Sequence, residues 1–417
     1  MYCTWYDGTC IKEESTKTEL MKKNILIFLS FVAIVFFWRI ALHTITIASD
    51  SVLLYQPSFP YSNDLLKSSG LPKSIYSFAN FDGVHYLTIV KRGYVGTALI
   101  QAFFPLYPVL ILVFSFNIIS PILVGQLLSL CFLGLFLFIL HKLAITDGYT
   151  IDFKLVCVAV LLFPTSLYFA AVYAESLFLF LVVSSFLFAR KKRWLLAVIF
   201  AGLASATKVV GIALVPALFI ELLLQEKIIS KAQFTIAGLK KVLIKMYEKK
   251  EKLLLLVLSS SGLIIYMGYL HFTFSDPLYF FHVQSEFGAG RQESIVVLPQ
   301  VIYRQIRILL TYRPFDWKYF SYFQDLLLFV ATTTVLVMSR NKVRASYLVF
   351  SLLAVLIPTL TGSFSSIPRY VLACFPVFIY LSLQLSKKKI WPIIWLAISG
   401  ILLVINTILF VQGYWVA

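Results

Sequence analysis

Long apolar runs recur along the whole chain, and they restrict its fold more than any other feature. Each run approaches the roughly 20 residues that an α-helix needs to cross the hydrocarbon core of a bilayer. A soluble domain of 417 residues could not stay in solution with 60% hydrophobic and only 13% charged residues. The sequence therefore predicts an all-α, polytopic membrane protein with the lipid bilayer as a partner.

Taking each apolar run as one helix gives about eleven spanning segments. A polar tail (1–23) precedes a single integral-membrane domain (24–417), and Met21 is a second candidate for the start of translation. The first run is too long for a signal peptide, so we expect it to be a retained anchor. The predicted spans are 24–45, 121–140, 153–170, 174–190, 193–207, 209–224, 253–272, 324–339, 344–361, 368–385 and 391–411.

Short basic clusters between the apolar runs set the predicted orientation. The formal net charge is +17, but the cations do not follow one polar face, so nucleic acid is not an expected partner. Such clusters mark the cytoplasmic side. They place the N-terminus inside and leave two outer loops, 49–118 and 275–322. Residues 225–252 alternate lysines with apolar residues, which predicts a cytoplasmic amphipathic helix on anionic lipid.

The apolar segment 103–117 is expected to lie at the outer interface as a short helix. Counting it as a span would move the basic cluster 190–193 outside, against the positive-inside rule. Only about nine apolar residues follow Pro108, which suits an interfacial helix better than a span. The alternative is that this segment spans and that another boundary is wrong.

Residues 77–108 combine an acid, a histidine and several aromatic residues between apolar runs. Residues 83–92 have the pattern of a helix with Asp82 at its N-cap and Gly93 just past its end. A capping carboxylate stays ionised, and an ionised carboxylate can accept a proton from a substrate hydroxyl. His85, one turn further on, can hold an acceptor or orient the acid. A plain helix cap and an ordinary interfacial histidine are the structural alternatives.

Three cations near the predicted outer side are candidate ligands of a phosphate. Arg369 follows Pro368 at the predicted start of a helix, where the helix dipole disfavours a cation. An anion bound there by Arg369 and the helix N-terminus would resolve this conflict. Lys208 lies in a turn between two short apolar runs, and Arg39 lies near the outer end of the first span. Anchoring at lipid headgroups is the alternative for each.

The second outer loop contains Asp276, His282, Glu286 and Arg291. Mixed histidine and carboxylates can hold a metal, but the spacing is not the tight one of a ligand set. We therefore expect no divalent metal here and assign the loop to acceptor binding.

The stretch FDGVHYLTIVKRGY followed by AFFPLYP resembles the first-loop signature of the PIG-V-like mannosyltransferases, the family of the GPI mannosyltransferase that adds the second mannose. These resemble the wider GT-C class of integral-membrane glycosyltransferases, whose catalytic Asp lies in the first outer loop. The chain departs from the pattern at Lys208, where arginine is expected, and at Phe81, near which tryptophan often stands. Lysine keeps the charge but loses the bidentate fork. The resemblance continues in FPTSLYFAAVYAESLFLF (163–180), WLLAVIFAGLASATKVVGIAL (194–214), SDPLYFFHVQSEFGAGR (275–291), IPRYVLACFP (367–376) and GYWVA (413–417).

The resemblance implies a GT-C-type fold and an inverting transfer of a sugar, expected to be mannose, on the outer face. The donor would be a polyprenyl- or dolichyl-phosphate sugar, and the acceptor a hydroxyl of a glycan, a glycolipid or a protein. No cofactor is required, because the donor brings its own phosphate to the membrane surface. Compact loops without an N-x-S/T sequon favour a prokaryotic plasma membrane.

The residues implied in this reaction lie on the predicted outer side. Glu175 opens an apolar helix, where the dipole alone accounts for an acid, and it is equally well placed to bind sugar hydroxyls. The catalytic residues would be Asp82 as general base, His85 and Glu175. The ligands of the donor phosphate would be Arg369, Lys208 and Arg39. Substrate contacts are expected from Tyr86, Tyr94, Tyr107, His282 and Gln284.

Other functions fit parts of the pattern. A transporter or flippase of a lipid-linked saccharide also needs outer aromatic residues and phosphate-binding cations, but it is expected to carry polar groups at mid-membrane and two related halves. A lipid-linked polymer ligase or polymerase would share the outer site and move a preassembled glycan. A purely structural membrane protein would not need Asp82, His85 and Arg369 on one face.

Overall fold

The computed structural model describes residues 9–116, 118–227, 248–288, 290–313 and 316–416. Within these ranges the chain forms helices joined by turns, and it contains no β-strand. The all-α expectation is confirmed for this part of the chain. The α-helices are α1 (Thr9–Ser49), α2 (Lys73–Tyr76), α3 (Asp82–Arg92), α4 (Leu106–Ser115), α5 (Pro121–Thr146), α6 (Phe153–Leu161), α7 (Glu175–Arg190), α8 (Trp194–Ser205), α9 (Leu214–Gln225), α10 (Lys250–Val257), α11 (Ser261–Phe274), α12 (Tyr279–His282), α13 (Leu298–Thr311), α14 (Trp317–Ser339), α15 (Ala345–Thr359), α16 (Ile367–Tyr370), α17 (Phe375–Ser386) and α18 (Ile390–Val411).

Several of these helices are long and apolar enough to cross a membrane. The described residues contain five: Asn24–Ser49 within α1, Lys250–Phe274 formed by α10 and α11, and the whole of α5, α14 and α18. A sixth candidate is the pair Ile367–Ala373 and Phe375–Ser386, which is bent by 69°. The chain thus has the helices of a multi-pass membrane protein.

The remaining predicted spans fall on shorter helices. The run 153–170 ends its α-helix at Leu161, because the residue before Pro164 disfavours helical geometry. The run 209–224 begins with the 3₁₀ turn Val209–Ala213 before α9. At 1.5 Å per residue, the 12 residues of α8 reach about 18 Å, short of the roughly 30 Å hydrocarbon core. Hydropathy alone does not reveal these breaks.

Three further predicted boundaries can be compared with the structure. The predicted interfacial segment 103–117 contains α4, a ten-residue helix that is too short to span. Helix α1 begins at Thr9, so helical structure extends into the predicted tail 1–23. Most of the predicted amphipathic segment 225–252 lies outside the described residues.

Close backbone contact joins α8 to α11. A Cβ atom added at Gly262 would lie 2.3 Å from the carbonyl oxygen of Gly202 and 2.4 Å from the amide nitrogen of Ala206. Only glycine allows this approach. By contrast, a Cβ added at Gly268, further along α11, would meet no described atom within 4 Å.

A buried ionic cluster joins the ends of α5, α7, α9 and α15. The carboxylate of Glu221 is fully buried and accepts hydrogen bonds from Arg344 at 2.9 and 3.0 Å and from Ser346 at 2.7 Å. Arg190 contacts Asp147 at 2.5 Å and Glu221 at 3.5 Å. Arg190 ends α7, whereas the candidate site lies at the other end of that helix.

Candidate functional site

A cavity of about 430 Å³ lies where α3 and α7 begin. Its walls come from the predicted first outer loop, the start of α7, residues 208–209, the predicted second outer loop, and residues 365–370. The charged side chains that line it are Asp82, Glu175, Lys208, Glu286, Arg291 and Arg369. The cavity therefore brings together most of the ionisable residues that the sequence singles out as candidate site residues.

Asp82 is the first residue of α3 and does not cap it. The N-cap position belongs to Phe81, and no capping hydrogen bond from a side chain forms there. The Asp82 carboxylate instead accepts a hydrogen bond from Nη1 of Arg369 in an ion pair. The predicted capping role of Asp82 is thus wrong, because its carboxylate binds the buried guanidinium of Arg369 instead of a backbone amide at the helix end.

Phe81 holds the turn before α3 in an unusual backbone conformation. Its φ of 57° is rare for a residue with a side chain. Its ring lies 4.7 Å from that of Phe59 and 5.2 Å from that of Trp415, measured between centroids. The hydroxyl of Tyr173 donates to the carbonyl of Asn80 and lies 3.2 Å from the amide nitrogen of Asp82. Strain of this kind is found where a side chain must be aimed at a site.

Arg369 is buried and resolves its helix-dipole conflict through Asp82. Its guanidinium also donates to Ser366 Oγ at 2.8 Å and lies over the ring of Tyr173 at 5.6 Å from the centroid. The sequence predicted an external anion at this position. The structure supplies a carboxylate of the chain itself, so a phosphate at Arg369 would have to share the guanidinium with Asp82.

Arg291 places a second guanidinium beside the first. It donates to the same Ser366 hydroxyl at 3.2 Å and to Gln284 Oε1 at 3.0 Å. Burial lowers the pKa of Arg291 from its ordinary value. No described carboxylate forms an ion pair with Arg291. Two guanidinium groups therefore converge on one hydroxyl, and only one of them, that of Arg369, is paired with a carboxylate. Such an arrangement favours an anionic ligand.

A second ion pair lines the same cavity. Lys208 Nζ lies 2.7 Å from Glu175 Oε1 and 5.0 Å from the ring centroid of Tyr370. The other carboxylate oxygen of Glu175 is buried and has no hydrogen-bond partner among the described residues. Glu175, predicted to be catalytic, and Lys208, predicted to bind phosphate, therefore form an ion pair. The second carboxylate oxygen of Glu175 stays free for a ligand.

His85 lines the cavity as a buried imidazole. Its ring stacks on that of Phe103 with the centroids 4.8 Å apart, and its Nδ1 atom has no partner within the described part of the chain. Burial lowers its pKa, and the charge of Asp82 opposes this shift only in part. The neutral imidazole therefore has an unused nitrogen next to the acid.

The aromatic and amide residues predicted to contact substrate divide into two groups. Tyr86 and Gln284 line the cavity. Burial raises the pKa of Tyr86 well above its ordinary value, so its hydroxyl stays protonated. Tyr94 and Tyr107 do not line it, since their hydroxyls donate internally to the carbonyls of Phe103 at 2.7 Å and Gly125 at 2.9 Å. These two tyrosines belong to the packing around the site.

Two other predicted site residues also lie outside the cavity wall. His282 pairs with Asp276 at 2.7 Å on a more exposed surface. Arg39 donates to Gln126 at 2.9 Å and lies over the ring of Phe78 at 3.9 Å. Its contacts join α1 to α5 and to the first loop, which is a structural arrangement rather than access to a ligand in the cavity.

Residues 412–415 complete the wall next to Asp82. The amide of Gln56 donates to the carbonyl of Gln412 at 2.8 Å, and the amide of Ser58 donates to Gly413 at 3.2 Å. These bonds carry Trp415 to the cavity edge. The motif at 413–417 marks this part of the wall in the sequence. Nothing in the sequence indicates its backbone hydrogen bonds to the first loop.

No family model matches the chain, and no curated protein matches it significantly. Among the described residues, no group of three or more His, Cys, Asp or Glu is arranged to hold a metal ion. The cavity is therefore the feature of the chain from which a function can be inferred.

Proposed function

We propose that the chain is an integral-membrane glycosyltransferase that moves a sugar, mannose by the family resemblance, from a polyprenyl- or dolichyl-phosphate donor to a hydroxyl acceptor. The observation that carries the proposal is the convergence of Arg291 and Arg369 on one hydroxyl beside the Asp82 carboxylate. Two guanidinium groups suit a phosphate, and the carboxylate suits the removal of a proton from an alcohol.

The phosphate of the donor would lie against Arg291. This guanidinium has no acidic partner among the described residues, whereas Arg369 and Lys208 each have one. As the bond between the sugar C1 and the phosphate oxygen breaks, the phosphate keeps the electron pair and gains negative charge. Cations fixed in a buried wall stabilise that charge without reorganising.

Asp82 would act as the general base for the acceptor hydroxyl. Its carboxylate is paired with Arg369 in the cavity wall before substrates bind. A donor phosphate that draws Arg369 towards itself weakens this pair and frees the carboxylate to contact the acceptor hydroxyl. The acceptor oxygen then attacks C1 as its proton passes to Asp82, and a single displacement of this kind inverts the configuration at C1. His85 and Glu175 would bind the hydroxyls of the sugar or the acceptor.

The proposal includes a GT-C-type fold with about eleven apolar segments that enter or cross the membrane. The cavity would face outward from a prokaryotic plasma membrane, and the N-terminus would be cytoplasmic. Five full-length apolar helices and the basic clusters between apolar runs support this arrangement.

The test is transfer by the purified full chain. It is incubated with polyprenyl-phosphate-mannose and a panel of glycan, glycolipid and peptide acceptors, and products are identified by mass spectrometry. We expect Asp82→Asn to lower turnover by about 10²–10⁴-fold, the usual contribution of a general base. Asp64→Asn is the matched control, because it removes an exposed acid of the first loop that does not line the cavity, and it should leave turnover within about two-fold of wild type.

Donor binding is measured separately from turnover. Arg291→Gln removes charge-assisted hydrogen bonds worth about 1.5–3 kcal/mol, so the donor should bind about 10- to 150-fold more weakly. Full turnover by Asp82→Asn would reject Asp82 as the base. Tight donor binding without transfer to any acceptor would favour the transporter or flippase instead.

A further inference from the structure

A second cavity, of about 320 Å³, lies between α1 and α5. Asn24 and Ile27 of α1 form one wall, and Phe138, Lys142 and Ile145 of α5 form the other. Lys191, in the turn after α7, closes one side. None of these residues belongs to the candidate active site.

The cavity is basic at one end. Lys142 Nζ lies 3.1 Å from Asn24 Oδ1 and 4.8 Å from the ring centroid of Phe138. Lys191 is exposed and extends the positive surface. None of the described residues that line the cavity is acidic. Two cations without a lining carboxylate attract an anion.

The cavity is apolar at its other end. Ile27 and Phe138 continue the wall one helical turn further into the bundle than Asn24 and Lys142. On α1, the neighbouring side chains of Leu26 and Leu29 are exposed. A free phosphate gains nothing from such a surface, whereas the acyl chain of a lipid does.

This cavity and the candidate site lie at opposite ends of helix α5. Gln126 of α5 donates to the carbonyl of Ile75, in the first loop. Lys142 follows 16 residues later, which is about 24 Å along the helix. This separation approaches the thickness of a bilayer core, so the basic end of the cavity lies near the other headgroup layer.

We propose that this cavity binds an anionic phospholipid, with the headgroup phosphate at Lys142 and Lys191 and an acyl chain along Ile27 and Phe138. Basic residues between transmembrane helices recognise anionic headgroups in this way. The positive-inside rule assigns this end of the bundle to the cytoplasmic leaflet. The inference does not depend on the proposed glycosyl transfer.

The test measures which lipid the full chain retains. The protein is reconstituted in nanodiscs with equal parts of phosphatidylglycerol and phosphatidylcholine, extracted in mild detergent, and examined by native mass spectrometry. We expect the wild-type protein to retain phosphatidylglycerol in preference to phosphatidylcholine. Each lysine near a headgroup contributes roughly a five-fold factor, so Lys142→Gln with Lys191→Gln should lower this preference about 25-fold. Lys192→Gln with Lys388→Gln, at exposed positions outside the cavity, is the matched control and should behave as wild type.

Three results would overturn the proposal: no preference for phosphatidylglycerol in wild type, the same preference in the double variant, or displacement of the lipid by inorganic phosphate. If Lys142→Gln prevents folding, Lys191→Gln alone decides the question. Lys191 is exposed in a turn, and its replacement should lower the preference about five-fold.

Discussion

Replacing Asp82 with asparagine leaves Arg369 as a buried cation without its carboxylate. The two side chains are only 16% and 9% exposed, so water compensates little for the loss. A guanidinium does not lose its proton in a protein, whereas a carboxylate left alone can take one up. We therefore expect Asp82→Asn to destabilise the fold more than Arg369→Gln.

The size of this effect follows from the contacts that remain. Breaking a buried ion pair by removing one partner costs about 3–5 kcal/mol. In Asp82→Asn, Arg369 keeps its hydrogen bond to Ser366 and its contacts with the rings of Tyr168 and Tyr173. These contacts still stabilise the guanidinium, so we expect a loss of stability at the lower limit of that range. We expect about 3 kcal/mol for Asp82→Asn and about 2 kcal/mol each for Arg369→Gln and the double variant, so the two sites are coupled by about 3 kcal/mol.

The assay is a double-mutant cycle on the free energy of unfolding. Wild type, both single variants and the double variant are unfolded in mixed micelles of increasing sodium dodecyl sulfate content. Glu286→Gln serves as the control for loss of an acid, since Glu286 is exposed and its replacement should change stability by no more than about 0.5 kcal/mol. Additive single effects, within about 0.5 kcal/mol, would refute the argument that this ion pair holds the cavity together.

Two further predictions concern packing and pH. Gly262→Ala forces a methyl group against Gly202 and should lower the free energy of unfolding by about 1–3 kcal/mol. Gly268→Ala is the control and should be neutral or stabilising. Equal effects of the two variants would contradict the close contact of α8 with α11. Burial lowers the pKa of His85, so the unfolded chain binds a proton at higher pH than the folded one, and stability should fall as the pH drops below about 6.5. His85→Phe should lose this part of the pH dependence when unfolding is compared at about pH 7.5 and pH 5.5; an unchanged slope would exclude His85 as its source.

The sequence singled out both Asp82 and Arg369 from local rules about helix ends. Their pairing was beyond such rules, because the two residues lie 287 positions apart. The capping role given to Asp82 was wrong for the same reason. A local pattern shows which side chain could cap a helix end. It does not show whether a residue from a distant segment forms an ion pair with that side chain instead.

The remaining differences have equally specific causes. Tyr94 and Tyr107 share the aromatic composition of the loop with Tyr86, but composition does not show which hydroxyl finds a backbone carbonyl inside the protein. The sequence places Arg291 in a loop expected to bind the acceptor, and only the structure shows that it shares the Ser366 hydroxyl with Arg369. Apolar runs located the long helices, whereas breaks such as the end of α6 depend on single residues.

The pairing of Gln56 and Ser58 with residues 412–413 has a consequence for biogenesis. At a translation rate of roughly 5–20 residues per second, Asp82 is synthesised about 17–67 s before Trp415. For most of that interval Arg369 has not been synthesised either, so the carboxylate lacks its ion-pair partner as well as the complete cavity wall. Insertion of the early helices and maturation of the cavity must therefore be separate events, and a nascent chain released before residue 412 would be embedded in the membrane with an unfinished pocket.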